Sequence, residues 1–361
     1  MRARTRLRIA WLSSHARKKI SCASFDASNA SYYCALFFAL RTIADVRQTL
    51  HNEDAVDIAF RKRADVAILP LECTMADSPG LVACLNMIGA AGRDAPVAIL
   101  LNKMFKSAVA KLEVIRNYSH QRDIIASFSV LPPAHEPLYT RLSSVPSFSL
   151  PFAAHSDFGL LAPALNADQS SAHYSHDLGF TGGPQRMDEA RYMLRRATMG
   201  NASMRARLEA ARVRIFLSPP GRMLPMGQYV SQMAHTKVWF STTEHSAYNG
   251  PHPDGDAVTP RFFEVLMSGR SLLLCNRSPK SYLPLGIVEG VHVAMFNSSE
   301  EFYWKVIYYT RSKAGSTERL AMVAAARSLA LARHTWAVRA RELEERLQWA
   351  LMRRKRPVRA M

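Results

Sequence analysis

The chain has 361 residues, of which 48% are hydrophobic, and carries a formal net charge of +18 with five cysteines. That length exceeds what one hydrophobic core usually supports, so two domains are expected, and the apolar fraction excludes disorder across the whole chain. No apolar run approaches the roughly 20 residues of a membrane-spanning helix, and no Cys-x-x-Cys pair marks a metal or redox site.

The charge is concentrated at the two ends. Residues 1–20 hold seven Lys/Arg and no acid, and residues 339–361 hold eight Lys/Arg against three Glu. Such ends read as solvated basic tails that attract polyanions or an anionic membrane surface peripherally. No RRM-, KH- or zinc-finger-like pattern is present, so no specific nucleic acid is expected as a partner. The start, "MRARTRLRIAWLSSH", has basic residues but not the apolar stretch of a secretory signal. Together with dispersed cysteines in apolar runs, this gives the expectation of a reduced, cytoplasmic setting.

In chain order, Leu7–Ser13 reads as a strand and Ser31–Thr49 as a helix. "ADVAILPL" (64–71) is a strand, Leu81–Ala91 a helix, "APVAILLN" (95–102) a strand, Lys106–Tyr118 a helix, and "IIASFSV" (124–130) a strand. Short apolar strands separated by helices imply parallel pairing with both sheet faces covered. From Pro132 to about Pro184 the composition turns to Pro, Ser, His and Gly, which reads as a linker into a second domain. There the alternation resumes: a charged helix beginning "MDEARYM", a strand Val213–Ser218, a helix Met226–Ala234, a strand Lys237–Thr243, a helix at 260–268, a strand Val291–Phe296, a helix Ser299–Thr310, and a long helical tail from Ser316 to Arg354. The expected division is an α/β domain over 1–150, a crossing over 151–183, a second α/β domain over 184–335, and a terminal helix with a basic tail over 336–361. Ligands of such sheets sit at the carboxyl ends of the strands.

"TPRFFEVLMSGRSLLLCNRS" (259–278) is the most informative stretch. Thr259 suits an N-cap, Pro260 the first helical position and Gly269 the left-handed residue past the helix end. The helix N-terminus offers unpaired N–H groups and the positive end of the helix dipole, which favour an anion. Arg261 in the first turn is unfavourable there unless an anion neutralises it. Glu264, one turn in, can accept hydrogen bonds from vicinal hydroxyls such as those of a ribose. The alternative left open is that Arg261 and Glu264, three apart, form a surface ion pair worth well under 1 kcal/mol.

That stretch, followed by "GVHVAMFNSSEEFYWKVIYY" and "ARHTWAVRARELEERL", resembles the C-terminal half of group 1 glycosyltransferases of the GT-B fold, and within them the CgeB-like (spore maturation protein-like) subgroup. "DLGFTGG" looks like the first strand and glycine turn of their nucleotide domain, and "SLPFAAHSDF" like their interdomain crossing. The resemblance runs from about Leu150 to Arg346. It implies an α/β, GT-B-like fold: two Rossmann-type doubly wound domains facing each other across a cleft, with a C-terminal helical tail. It further implies transfer of a sugar from a nucleoside-diphosphate-sugar to an unknown acceptor, independent of metal or other cofactor, with retention at the anomeric carbon.

On the same basis Glu264 would hold the donor ribose, with Thr259 and the glycine turn at Gly182 beside the nucleotide. Arg261, Lys237 and Arg222 would meet the diphosphate. Asp256 stands eight residues before Glu264, where the family often has a glutamate, and is the candidate for contact with the donor sugar. His155, in the crossing, is the other candidate catalytic group, and His252 lies in the loop before Asp256. "DGD" (254–256) also matches an Asp-x-Asp metal pattern, although Asp in such a loop is commonly a turn former. His334 is expected to pack the terminal helix with Trp336 as its apolar partner. No Gly-x-Gly-x-x-Gly after a first strand, no P-loop, no Gly-x-Ser-x-Gly and no His-Glu-x-x-His is present, which disfavours dehydrogenases, P-loop NTPases, serine hydrolases and zinc proteases. The competing function is a catalytically inactive binding protein on the same fold, docked through its basic tails.

Overall fold

The computed structural model describes residues 6–13, 29–50, 59–69, 81–82, 85–86, 95–101, 108–154, 174–181, 197–218, 224–243 and 256–354. The chain divides into two compact units. One contains Asn29–Pro151 together with Trp336–Met361, and the other contains Phe152–Thr335.

In the first unit the strands are β1 (Arg8–Ser13), β2 (Asp45–Leu50), β3 (Val66–Leu69), β4 (Val97–Leu101), β5 (Ile124–Ser129) and β6 (Ser147–Ser149). They form one parallel sheet in the order β2-β1-β3-β4-β5-β6. The strands β3, β4 and β5 are buried along their whole length, as expected where helices cover both faces. Helices α1 (Asn29–Ile43), α2 (Ala108–Arg122) and α3 (Glu136–Ser143) belong to this unit.

The expected helix over Ser31–Thr49 ends early. Ala44 closes α1, the Asp45 amide bonds the Leu7 carbonyl, and "DVRQTL" pairs alongside β1. The β-branched Val46 and Thr49 favour that extended backbone, and Val46 is buried opposite Ile9. The expected linker is also partly structured. A 3-10 turn (Pro133–His135), α3 and β6 follow Pro132 directly. The polar "SFS" of β6 is accommodated because the Ser147 hydroxyl meets that of Ser127 at 2.7 Å on the neighbouring strand.

The second unit holds β7 (His176–Phe180), α4 (Ala202–Ala210), β8 (Ile215–Leu217), α5 (Met226–Ala234), β9 (Thr236–Ser241), α6 (Pro260–Ser268), β10 (Leu272–Asn276), the short α7 (Pro279–Tyr282), β11 (Ala294–Phe296), α8 (Ser299–Arg311) and α9 (Lys313–Arg333). Its sheet is again parallel, in the order β11-β10-β9-β7-β8. Phe240, Phe296 and Phe302 pack as a mutual aromatic cluster at its centre.

The helical tail is two helices. Helix α9 stops at His334, and Ala154 bridges to Thr335 before α10 (Trp336–Arg354) begins. Helix α10 belongs to the first unit. It packs on α1, Arg339 Nε donates to the Pro151 carbonyl at 3.0 Å, and Trp349 lies edge-on to Phe148 at 5.6 Å. Among the described residues no helix is long and apolar enough to cross a membrane.

Candidate functional site

The strand order of the second sheet reverses between β7 and β9, since β8 lies on one side of β7 and β9, β10 and β11 on the other. In doubly wound sheets the carboxyl edge at this reversal is where ligands bind. Here the apolar strands end in polar residues: Thr181 after β7, Ser241, Thr242 and Thr243 at and beyond the end of β9, and Asn276 at the end of β10. All are buried. Asn276 clamps the edge together, its Oδ1 accepting from the Thr243 amide at 2.9 Å and its Nδ2 donating to the Thr243 hydroxyl at 3.0 Å. Tyr282 of α7 donates to the Asn276 carbonyl at 3.0 Å. The Ser241 hydroxyl, only 1% exposed, has no hydrogen-bond partner. Buried polar groups are rarely left unmatched, so such an atom at a ligand edge points to a polar ligand.

Helix α6 starts on the same edge, because it follows β9. Pro260 supplies a fixed φ and lacks an N–H, and Gly269 ends the helix at φ +60, both as the sequence predicts. Phe262, Phe263, Val265, Leu266 and Met267 are buried, each of the large side chains stabilising the packing by about 1.5–3 kcal/mol. Phe262 stacks on Tyr282, and Phe263 lies 5.1 Å from the ring of His334. Thr259 takes the N-cap backbone conformation, yet its side chain caps nothing; the hydroxyl is buried without a partner. The Arg261 amide, at the second helical position, lies beyond the reach of any intrahelical carbonyl.

Glu264 is 1% exposed, which removes the surface ion pair as its explanation. Its Oε2 accepts a hydrogen bond of 2.6 Å from the hydroxyl of Tyr229 on α5. Burial first, and then the charge of Glu264, raise the Tyr229 phenol well above its ordinary pKa, with Arg261 and Thr181 acting in the opposite sense. Tyr229 therefore remains a donor at any physiological pH. Its ring sits edge-on to Trp239 of β9 at 5.9 Å. Trp239 in turn lies over Gly179 of β7, where an added Cβ would come within 2.6 Å of the indole.

Four of the residues anticipated from sequence, Asp256, Thr259, Arg261 and Glu264, thus share the segment that leads into and through the first turns of α6. Asp256 is fully buried, its amide donating to Ser281 Oγ at 2.7 Å. Lys237 does not join them. It stands at the amino end of β9, where its Nζ lies 2.9 Å from Asp177 Oδ1 and donates to the Thr310 carbonyl at 3.2 Å. An ion pair at the opposite edge of the sheet takes the place of the diphosphate contact expected of it. His155, Gly182, Arg222, His252 and Asp254 lie outside the described residues. His334 packs against Phe263, its Nε2 pairs with the Leu285 carbonyl at 2.9 Å, and it caps the end of α9. Among the described residues no group of three His, Cys, Asp or Glu could hold a metal ion.

Tyr229, Ser241 and Asn276 were not anticipated. The available signal for the last two was positional, a polar residue closing an apolar strand. For Tyr229 it was a lone phenol on the apolar face of a short helix.

Residues 195–345 match a family model described as glycosyl transferase-like. No curated protein matches the sequence. Solved structures match it over nearly its full length at low identity. The Anabaena HepE protein, solved with UDP-glucose, is 12% identical at TM-score 0.53, covering 94% of this chain and 99% of that one. A glycosyltransferase from Rickettsia africae is 9% identical at TM-score 0.54, covering 96% and 99%. An alpha-glucosyltransferase solved with UDP and DNA is 8% identical at TM-score 0.60, covering 95% and 100%.

Residues 195–345 are thus similar to the glycosyl transferase-like family, and the chain shares the GT-B fold of these solved structures. The matched residues carry the whole of the edge described above, from Tyr229 on α5 through Ser241 and Glu264 to Asn276, except for the end of β7.

Proposed function

We propose that the protein is a glycosyltransferase that binds a nucleoside-diphosphate-sugar at the carboxyl edge of β7, β9 and β10 and passes its sugar to an acceptor. The observation that carries this reading is Glu264, a fully buried carboxylate anchored at 2.6 Å on Tyr229 and placed one turn from the tip of α6. A ribose diol donating to that carboxylate makes charge-assisted hydrogen bonds, which are stronger than neutral ones. The hydroxyls of Ser241 and Thr259, buried and unmatched, offer further polar contacts on the same edge.

Arg261, the first-turn amide and the positive end of the helix dipole supply the charge that a departing diphosphate needs, which is chemistry that requires no metal. Asp256 is assigned to the donor sugar, His155 to a catalytic or sugar contact, and Arg222 and Gly182 to the phosphates, with retention of the anomeric configuration as the family resemblance implies. Structural neighbours holding UDP-glucose or UDP support a uridine donor.

A thermal-shift panel of UDP-, GDP- and ADP-sugars tests the reading. At least one donor at a hundredfold excess over its Kd should stabilise the protein by about 2.7 kcal/mol, read as a raised Tm. Replacing Glu264 by Ala should remove the rise. No shift with any donor, combined with tight binding to heparin or anionic vesicles at low salt, would favour the inactive binding protein.

A further inference from the structure

The amino edge of the first sheet gathers basic residues from both ends of the chain. Strand β1 is entered through Arg6 and Arg8, both exposed. Helix α10 runs back against the strand direction, from Arg339 beside Pro151 to Arg354, whose Nη2 lies 2.6 Å from Asp123 Oδ2 just before β5. In a parallel sheet every strand begins on the same edge, and β1 and β5 are three places apart in the strand order, roughly 15 Å. The two basic segments therefore meet on one surface, and their fields overlap at low salt.

Other elements that end there add to the charge. Arg41 is exposed in the last turn of α1, Arg141 in the last turn of α3, and Lys62 and Arg63 immediately before β3. The acids of this edge are Asp45, Asp65 and Asp123, at the starts of β2, β3 and β5; Asp65 accepts from the Arg8 amide at 2.8 Å and Asp123 pairs with Arg354. With Arg353, eight cations stand against three acids among the described residues. Cations in the last turn complement the helix dipole, a role open to Arg41, Arg141 and Arg353 but not to Arg6 and Arg8, which enter a strand.

The end of α10 also exposes apolar side chains. Trp349 is 42% and Met352 61% exposed, and the Arg353 guanidinium lies over the Trp349 ring at 5.3 Å. Residues three and four apart share a helix face, so indole, thioether and guanidinium form one patch. A tryptophan flanked by cations suits the headgroup layer of a bilayer, where the ring meets the acyl boundary and the cations meet phosphates. A nucleic acid duplex offers the charge but no apolar layer for Met352.

We propose that the amino edge of the first sheet, with the end of α10, is a docking surface for an anionic lipid bilayer. The cations draw it to the membrane, and Trp349 and Met352 enter the interface. This does not rest on the donor reading, because none of these residues lies on the ligand edge of the second sheet.

Flotation of the full chain with phosphatidylcholine vesicles, with and without phosphatidylserine, tests the inference. Wild type should bind the phosphatidylserine vesicles at low salt and not the neutral ones. Each cation beside an anionic bilayer changes affinity about fivefold, so the triple variant Arg6→Gln, Lys62→Gln and Arg353→Gln should weaken binding about a hundredfold. Removing the same charge at exposed positions elsewhere, Arg116→Gln, Lys280→Gln and Lys313→Gln, should weaken it less than about fivefold. Brominated lipid should quench the tryptophan emission of wild type, and Trp349→Phe, which keeps a ring against Phe148, should lose that quenching. Equal weakening by the two triples, quenching that persists in Trp349→Phe, or no binding of wild type to anionic vesicles would overturn the inference. So would tighter binding to duplex DNA with no quenching by brominated lipid. Donor-induced thermal shifts are read separately, so the docking surface and the donor reading fail independently.

Discussion

Glu264 accepts a 2.6 Å hydrogen bond from Tyr229, a residue 35 positions earlier in the chain and on a different helix. Removing either partner deletes a buried hydrogen bond to a charged group, a contact worth about 1.5–3 kcal/mol. Glu264→Ala is therefore expected to lower stability by about 1.5–3 kcal/mol through loss of that hydrogen bond, and also to abolish nucleotide binding. Urea unfolding and calorimetry, run on the same preparation, separate the two effects. Unchanged nucleotide affinity in a folded Glu264→Ala protein would remove this carboxylate from the site.

Gly179 tests the support behind that pair. A methyl group there would sit 2.6 Å from Cε3 and 2.7 Å from Cζ3 of Trp239, with Thr236 Cγ2 at 3.0 Å on another side. The indole is fully buried and cannot swing away. Gly179→Ala should cost about 1–3 kcal/mol through overpacking, and it should weaken nucleotide binding because Trp239 backs Tyr229. A variant as stable as wild type by urea unfolding would contradict the packing described.

Asp177 makes a prediction about acid. Its carboxylate is fully buried, and burial alone would raise its pKa; the Arg214 amide and the Lys237 and Arg214 side chains more than offset this and hold it at about 2, against an ordinary value of 3.8. Arg311 adds a third cation at 3.1 Å. A depressed carboxyl pKa contributes stability that is present above the ordinary value and is lost as pH falls through the folded value. Holding a carboxyl this far below its ordinary pKa contributes roughly 2 kcal/mol, so stability should decline between about pH 4 and pH 2. Asp177→Asn should flatten that decline. Lys237→Met should lower stability without altering nucleotide affinity, since Lys237 belongs to this ion pair and not to the ligand edge.

Gly269 ends α6 at φ +60 and lies against Arg327, whose Cδ would be 2.6 Å from an added Cβ. Gly269→Ala should destabilise the second unit by about 1 kcal/mol or more, because the left-handed backbone is strained for alanine. Arg327 is a flexible side chain that can yield, so the backbone sets the cost. Thermal unfolding checks this; a neutral or stabilising substitution would show that the residue tolerates the left-handed region there.

The sequence carried the alternation of strand and helix well, because buried parallel strands such as "VAILL" and the proline-to-glycine frame of α6 are local signals. Both ends of α6 are where its residues place them. The helix α1 was read too long because "DVRQTL" has no alternation strong enough to mark a strand until Val46 finds Ile9. The split of the tail at His334 and the return of α10 to the first unit depend on long-range contacts, Phe263 with His334 and Pro151 with Arg339. Glu264 stood out as a charge within an apolar helix. Lys237 was read correctly at the start of its strand, but its ion pair with Asp177, 60 positions earlier, is a long-range contact that spacing does not show. Tyr229 could not be paired with Glu264 from spacing, since the contact bridges two helices.

The most direct measurement is release of free nucleoside diphosphate from a panel of UDP-, GDP- and ADP-sugars, followed for the wild-type chain and for Glu264→Ala. The account predicts that wild type hydrolyses at least one donor slowly with no acceptor added, and that Glu264→Ala, still folded, releases none. Release at the wild-type rate by Glu264→Ala, or no release and no binding of any donor by wild type, would contradict it.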